Sequence, residues 1–148
     1  MLYRASENEF LVSKWHEKCD HIPHTLTIIE TEFGKVIGGY TSFNWYKDTT
    51  GHSVSSRKDS NGHFIFSLTN NDRFTITQNE ANCIYIYDND TYGPIFGGPS
   101  WDLYIYDKAN QNNSSGVQIG HAYTNPNYKN ADNASYVKFA GARNFKIN

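Results

Sequence analysis

Cysteine is scarce. Cys19 and Cys83 are two in 148 residues, too few for a disulfide scaffold, and they form no closely spaced pair of the kind that holds zinc or runs thiol exchange. Reduced thiols of an intracellular, cytoplasmic protein are the expectation. No apolar run is long enough for a signal peptide or a membrane span, and Met1-Leu2-Tyr3-Arg4 leads straight into polar residues. The four glycosylation sequons at Asn89, Asn112, Asn113 and Asn133 therefore read as chance in an asparagine-rich chain. Neither sign of charge dominates. A formal net charge of −2 leaves no basic stripe, which removes the main electrostatic contribution to binding nucleic acid or an anionic membrane. The phosphate-cradling Gly-x-x-x-x-Gly-Lys-Ser string is missing too, so neither a nucleotide nor another cofactor is expected.

What is present is aromatic: 11 Tyr, 9 Phe and 3 Trp make up 16% of the chain, against a modest 38% of hydrophobic residues. Such a composition predicts a core of few but bulky side chains. The length is that of a single domain spanning residues 1–148, with no repeat of fixed period. Two glycine-bearing strings stand out between apolar runs, Gly38-Gly39-Tyr40-Thr41 and Tyr92-Gly93-Pro94-Ile95-Phe96-Gly97-Gly98. Glycines there mark places where backbone bends or approaches other backbone closely, and they carry no chemistry.

Ser6-Glu7-Asn8-Glu9 matches a capping box, with Leu11, Trp15 and Cys19 following at helical spacing, and predicts a helix over 7–19. From Thr25 the period changes. Leu26–Ile29 and Lys35–Thr41, joined at Phe33-Gly34, read as a hairpin, and further strands are predicted over 63–68, 73–77, 83–87, 102–106, 117–122, 136–139 and 145–147. Residues 47–61, 109–116 and 125–133 read as polar loops. Many short strands against one clear helix mean a mostly antiparallel β domain, either sandwich or barrel.

The densest collection of reactive side chains runs from His16 to His24, with three imidazoles, Cys19, Glu17 and Asp20. His16 and Cys19 share a helical face at i, i+3, which puts them within reach of each other as a Cys–His nucleophile pair, and His21 or His24 could complete a zinc site with them. No third group orients the pair, however, and the spacing fits no zinc pattern. The blander reading makes Cys19 the last apolar contact of the helix and places His21 and His24 in a solvated turn, with no metal and no catalytic residue. His63 and His121, each following a glycine, read as strand-end histidines satisfied by hydrogen bonds. A thiol-dependent redox protein acting through Cys19 with His16, and a glycan-binding sandwich using its aromatic surplus, are the rival functional classes.

Taken in order, several segments resemble the TLDc domain of the oxidation-resistance protein family. They are Leu2-Tyr3-Arg4-Ala5-Ser6, His16-Glu17-Lys18-Cys19-Asp20, the two glycine strings, Phe64-Ile65-Phe66-Ser67-Leu68, Asp102-Leu103-Tyr104-Ile105, and Ala140-Gly141 leading to Phe145-Lys146. The resemblance implies a β-rich α+β fold, a two-sheet antiparallel β-sandwich flanked by a few short helices. Gly38, Gly39, Tyr40, Gly93, Pro94, Gly97, Gly98, Asp102 and Gly141 are then structural positions. It further implies a non-enzymatic interaction module active in oxidative-stress resistance, with the vacuolar-type proton-pumping ATPase as protein partner and no membrane insertion. No catalytic residues come with it. The family pattern usually continues through one more strand after the equivalent of Asn148, so the resemblance implies that this last strand is lacking and that a sheet edge is left exposed. The stretch around 47–61 is longer than the pattern, and Trp15 and Pro99-Ser100-Trp101 depart from it locally.

Overall fold

The computed structural model describes residues 1–45, 62–76, 82–85, 90–98 and 100–148, with the backbone alone described for Asn82, Cys83 and Tyr85. The predicted loop Lys47–Asn61, the ends of the strands predicted over 73–77 and 83–87, Asn89, Pro99 and the Cys83 thiol lie outside the described residues.

Among the described residues the strands form two antiparallel five-stranded sheets. The first contains β1 (Thr25–Glu30), β2 (Val36–Thr41), β3 (Phe64–Ser67), β4 (Asp72–Ile76) and β9 (Tyr123–Thr124), in the order β1-β2-β3-β4-β9. The second contains β5 (Asn82–Tyr85), β6 (Tyr92–Gly98), β7 (Leu103–Tyr106), β8 (Ser115–Val117) and β10 (Asn144–Phe145), in the order β10-β8-β7-β6-β5. Two helices flank them, α1 (Val12–Cys19) and α2 (Asn133–Ala140). This is the expected mainly β fold with few helices. No helix among the described residues is long and apolar enough to cross a membrane.

The β1–β2 hairpin forms as expected, with Thr25 opposite Thr41 and Ile29 opposite Ile37. Alternation then divides the strands: Ile29, Ile37, Ile65 and Phe74 are buried between the sheets, while Leu26 and Ile28 face outward and are exposed. The core is as aromatic as the composition implies. Trp45 stands edge-on to both Trp15 and Phe96, at 5.2 and 5.5 Å between ring centres, and its indole N–H donates to Thr25 Oγ1 at 2.8 Å. A second cluster joins Phe74, Tyr128 and Phe139.

Several elements differ from the sequence reading. The predicted helix over 7–19 starts only at Val12. Ala5–Glu7 forms a single 3₁₀ turn, and Glu9 and Phe10 have φ of 55° and 57°, which breaks any continuation. No side chain of the Ser6–Glu9 box caps α1; instead Asp107 Oδ1, from the far side of the chain, accepts the Val12 N–H at 2.9 Å. Residues 136–139, predicted as a strand, lie in α2. Asp132 accepts the Ser135 N–H at its start, Gly141 ends it in a left-handed conformation, and Tyr136, Phe139 and Ala140 bury one helical face. Tyr136, Val137 and Phe139, aromatic or β-branched within four residues, suggest a strand because the helical period shows only over the longer segment. The second glycine string is itself a strand, β6, lying between β5 and β7. The strand predicted over 117–122 shrinks to its first residue and shifts back into Ser115-Gly116, and the loop read over 109–116 loses those two residues to β8. Residues 145–147 contribute Phe145 to β10 and Ile147 to an isolated bridge with Thr31.

Candidate functional site

Helix α1 carries the reactive cluster. Its buried stripe is Val12, Trp15 and Cys19, so the thiol packs into the core at 5% exposure. Burial, reinforced by nearby Asp20 and only partly opposed by Lys18, pushes the Cys19 thiol up to about 11. Such a thiol is roughly one part in ten thousand thiolate at pH 7. His16 is turned elsewhere: Nδ1 lies 3.0 Å from Asp20 Oδ1 and Nε2 lies 3.1 Å from the Tyr92 carbonyl. Among the described residues no hydrogen bond joins His16 to Cys19. His16 thus ties α1 to the start of β6, and each ring nitrogen faces an oxygen acceptor.

The other described histidines are dispersed. The His21 N–H donates to the Trp45 carbonyl at 2.8 Å, and His24 Nδ1 lies 2.9 Å from the Tyr40 hydroxyl on the outer side of β2. Among the described residues no group of three or more His, Cys, Asp or Glu side chains is placed to hold a metal ion. His63, fully buried just before β3, bonds Thr41 Oγ1 at 3.0 Å, as a strand-end histidine should. The backbone N–H of His121 donates to Asp102.

The glycine strings meet in the core. Gly39 lies under the ring of Phe96, and a Cβ at Gly39 would stand 2.6 to 2.7 Å from three of its carbons. Gly38 lies opposite Phe66, and Tyr40 stacks on Phe64 with 5.3 Å between ring centres. Gly93 and Pro94 sit at a register shift between Tyr92 and Ile95, and such an irregularity lets an interior strand of a sheet accept a proline. Gly98 pairs with Asn82 at the other end of β6.

Asp102 gathers four backbone N–H donors on one side chain. Its Oδ1 accepts the N–H groups of Gly120, His121 and Tyr123 at 2.9, 3.0 and 3.2 Å, and Oδ2 accepts that of Ala122 at 2.9 Å. One carboxylate thereby binds the passage that leaves β8 in the second sheet and enters β9 in the first. Burial pushes the Asp102 carboxyl up to about 6, while the four N–H donors pull the other way. Gly97 makes room for it: at φ 82°, its missing Cβ would collide with Asp102 Oδ2. Sequence reading flagged both residues through the family pattern, but the four backbone donors carry no side-chain signature and were invisible in it.

Chemically, these arrangements hold backbone in place. The cluster at His16 and Asp20 ties one element to another, the Asp102 carboxylate organises a crossing, and the thiol is sheltered. Comparison with curated proteins returned no match. A family model for the TLDc domain matches residues 1–148. The match spans both glycine strings, the Asp102 clamp and each helix, and the chain belongs to the TLDc-domain family.

Proposed function

We propose that the chain is a non-enzymatic protein-interaction module that supports resistance to oxidative stress by binding the vacuolar-type proton-pumping ATPase and regulating its assembly. Membership of the TLDc family motivates the partner. The observation that supports an interaction role is an apolar outer face on the first sheet, where Leu26, Ile28 and Leu68 are 55%, 59% and 60% exposed. They border a shallow cleft of about 350 Å³ shared with Phe64 and Phe66, and the Arg73 guanidinium sits 4.2 Å over the Phe64 ring at its rim. An apolar centre with a charged rim is the composition of a protein-binding patch. The loops over 47–61, outside the described residues, and over 109–116, whose last two residues belong to β8, are the candidate contacts that the sequence suggests. The rival reading, thiol chemistry through Cys19 with His16, draws no support from a buried thiol and an imidazole bonded elsewhere.

The test is quantitative mass spectrometry of proteins co-purifying with the tagged chain from cell lysate. Enrichment of pump subunits, lost on Leu26→Asp with Ile28→Asp, is expected. Repeated failure to enrich any pump subunit would remove this partner.

A further inference from the structure

In the first sheet, Ile28 lies opposite Gly38, Gly38 opposite Phe66 and Phe66 opposite Arg73, so these four form one row across the outer face, and Leu26, Tyr40 and Phe64 form the next. Gly38 leaves a gap in its row that the Phe66 ring fills, since a Cβ at Gly38 would stand 2.6 Å from Phe66 Cζ. The face therefore has a floor of two phenylalanine rings, Phe66 buried and Phe64 half-buried. Exposed Leu26 and Ile28 border it on β1, and exposed Leu68 and Arg73 border it on the β3–β4 side. The shallow cleft above this floor takes its walls from β1, β3, β4 and the turn joining the last two, and from neither end of the chain.

Two properties of this face restrict what can lie on it. The first is its backbone: β2 and β3 are each laddered on both sides, so the N–H and C=O groups beneath the floor are used inside the sheet. A ligand covering the floor meets side chains only and must arrive with its own backbone hydrogen bonds made, which an α-helix does and an isolated extended segment does not. The second property is charge. Arg73 is exposed, its guanidinium rests 4.2 Å over the Phe64 ring, and among the described residues no carboxylate forms an ion pair with it. The carboxylate of neighbouring Asp72 is engaged by the Tyr128 hydroxyl at 2.6 Å.

We propose that the outer face of the first sheet is the docking site for an amphipathic α-helix of a partner protein, which lays its apolar stripe on Phe64 and Phe66 between Leu26, Ile28 and Leu68 and pairs an Asp or Glu beside that stripe with Arg73. Strands about 4.8 Å apart put β1 and β4 about 14 Å from each other, and a helix about 10 Å across fits between their exposed side chains. A carboxylate on Arg73 makes a charge-assisted pair at the rim of an apolar contact, which fixes the direction and register of the helix. A second copy laying the same face on this one fits less well. Three exposed aliphatic side chains supply far less than the roughly 800 Å² per partner of a standard stable interface. The proposal deepens the interaction-module reading and rests on it for the class of partner. Its test uses no pump subunit, so its failure counts against the helix and leaves pump co-purification to be judged separately.

The probe is a displayed library of random peptides about 15 residues long, the length at which a helix becomes stable, panned against the purified chain and, separately, against Arg73→Glu. Peptides recovered by the unaltered chain should share apolar residues at i, i+3, i+4 and i+7 with an Asp or Glu at one fixed position, and those recovered by Arg73→Glu should carry Lys or Arg there. A selected peptide, synthesised and titrated into the isotope-labelled chain, should gain helical circular dichroism and shift the methyl signals of Leu26, Ile28 and Leu68. Ile28→Asp should weaken its binding at least about tenfold. The amide spectra of both variants show that they are folded, and the charge swap is a readout that misfolding cannot produce. Failure of the folded chain to recover any peptide overturns the proposal, as do binders with apolar residues at alternate positions, binders indifferent to Arg73→Glu, and methyl shifts confined to another surface. Sedimentation that grows with protein concentration and is abolished by Ile28→Asp overturns it in favour of a second copy, and Arg73-dependent binding to anionic vesicles without peptide overturns it in favour of a lipid surface.

Discussion

The ring of Phe96 in β6 covers the α-carbon of Gly39 in β2, so the two glycine-bearing strings, 57 positions apart in the chain, close on each other across the middle of the sandwich. The contact leaves no space for a methyl group. Gly39→Ala should cost about 1 to 3 kcal/mol, the usual range for overpacking a core. Phe96→Leu has its own cost, but the two changes should combine to less than their sum, because the smaller side chain vacates the space the new Cβ needs. Urea unfolding of the four-member cycle measures it, and strict additivity would show that the contact is not what excludes alanine.

The glycines are not equivalent. At Gly93 a Cβ would meet Val12 at 3.5 Å, an ordinary contact, whereas at Gly97 it would meet the Asp102 carboxylate in a backbone conformation unfavourable to alanine. Gly93→Ala should leave the melting temperature within a few degrees, while Gly97→Ala should lower it by about 10 °C or more in a domain of this size. Equal effects would contradict the assignment of Gly97 to the Asp102 clamp.

Asp102 should make stability fall as pH rises from about 4 to about 6. Its carboxyl moves from an ordinary value of 3.8 to about 6 in the folded state, so the folded chain holds the proton more firmly than the unfolded one. The associated stability is complete below the unfolded value and is lost as pH passes through the folded one, an effect of about 3 kcal/mol. Asp102→Asn should flatten this slope while lowering stability throughout, since an amide cannot accept all four N–H bonds. Carboxyl carbon NMR gives the titration directly, and a midpoint below 4 would reverse the sign.

Cys19 should behave as a core residue. Iodoacetamide should label it slowly at pH 7.5 in the folded chain and rapidly after denaturation, with the folded-state rate rising about tenfold per pH unit up to about 11. Cys19→Ala should cost roughly 1 kcal/mol and leave the peroxide sensitivity of cells unchanged. Rapid labelling of the folded chain at neutral pH would revive a thiol mechanism.

Helix α1 should depend on Asp107 and not on the local box. Asp107→Ala removes the acceptor of the Val12 N–H and should cost about 1 kcal/mol, while Glu9→Ala should be close to neutral. Thermal unfolding of the two variants decides between the caps.

The capping error shows how far local sequence reaches. Ser6 and Glu9 have the right residue types at the right spacing, yet a carboxylate 95 residues from Val12 supplies the cap. Residues 136–139 pose a related problem: Tyr136, Val137 and Phe139 fit either period, and Asp132 with Gly141 decides for helix. The β1–β2 hairpin was legible throughout because its signals are local. Alternation, the turn at Phe33-Gly34 and β-branched residues all agree there.

Composition and pattern by themselves determined an aromatic core, a mostly antiparallel β domain and the hairpin at its start, and the ordered motifs, by their resemblance, pointed to the TLDc family. Only tertiary structure decided that β6 is an interior strand, that Cys19 and His16 face different partners and that Asp102 spans the two sheets. The reason is physical. Side-chain type and period are properties of a few consecutive residues, whereas burial and N–H donors converging on one carboxylate exist only once distant segments have come together.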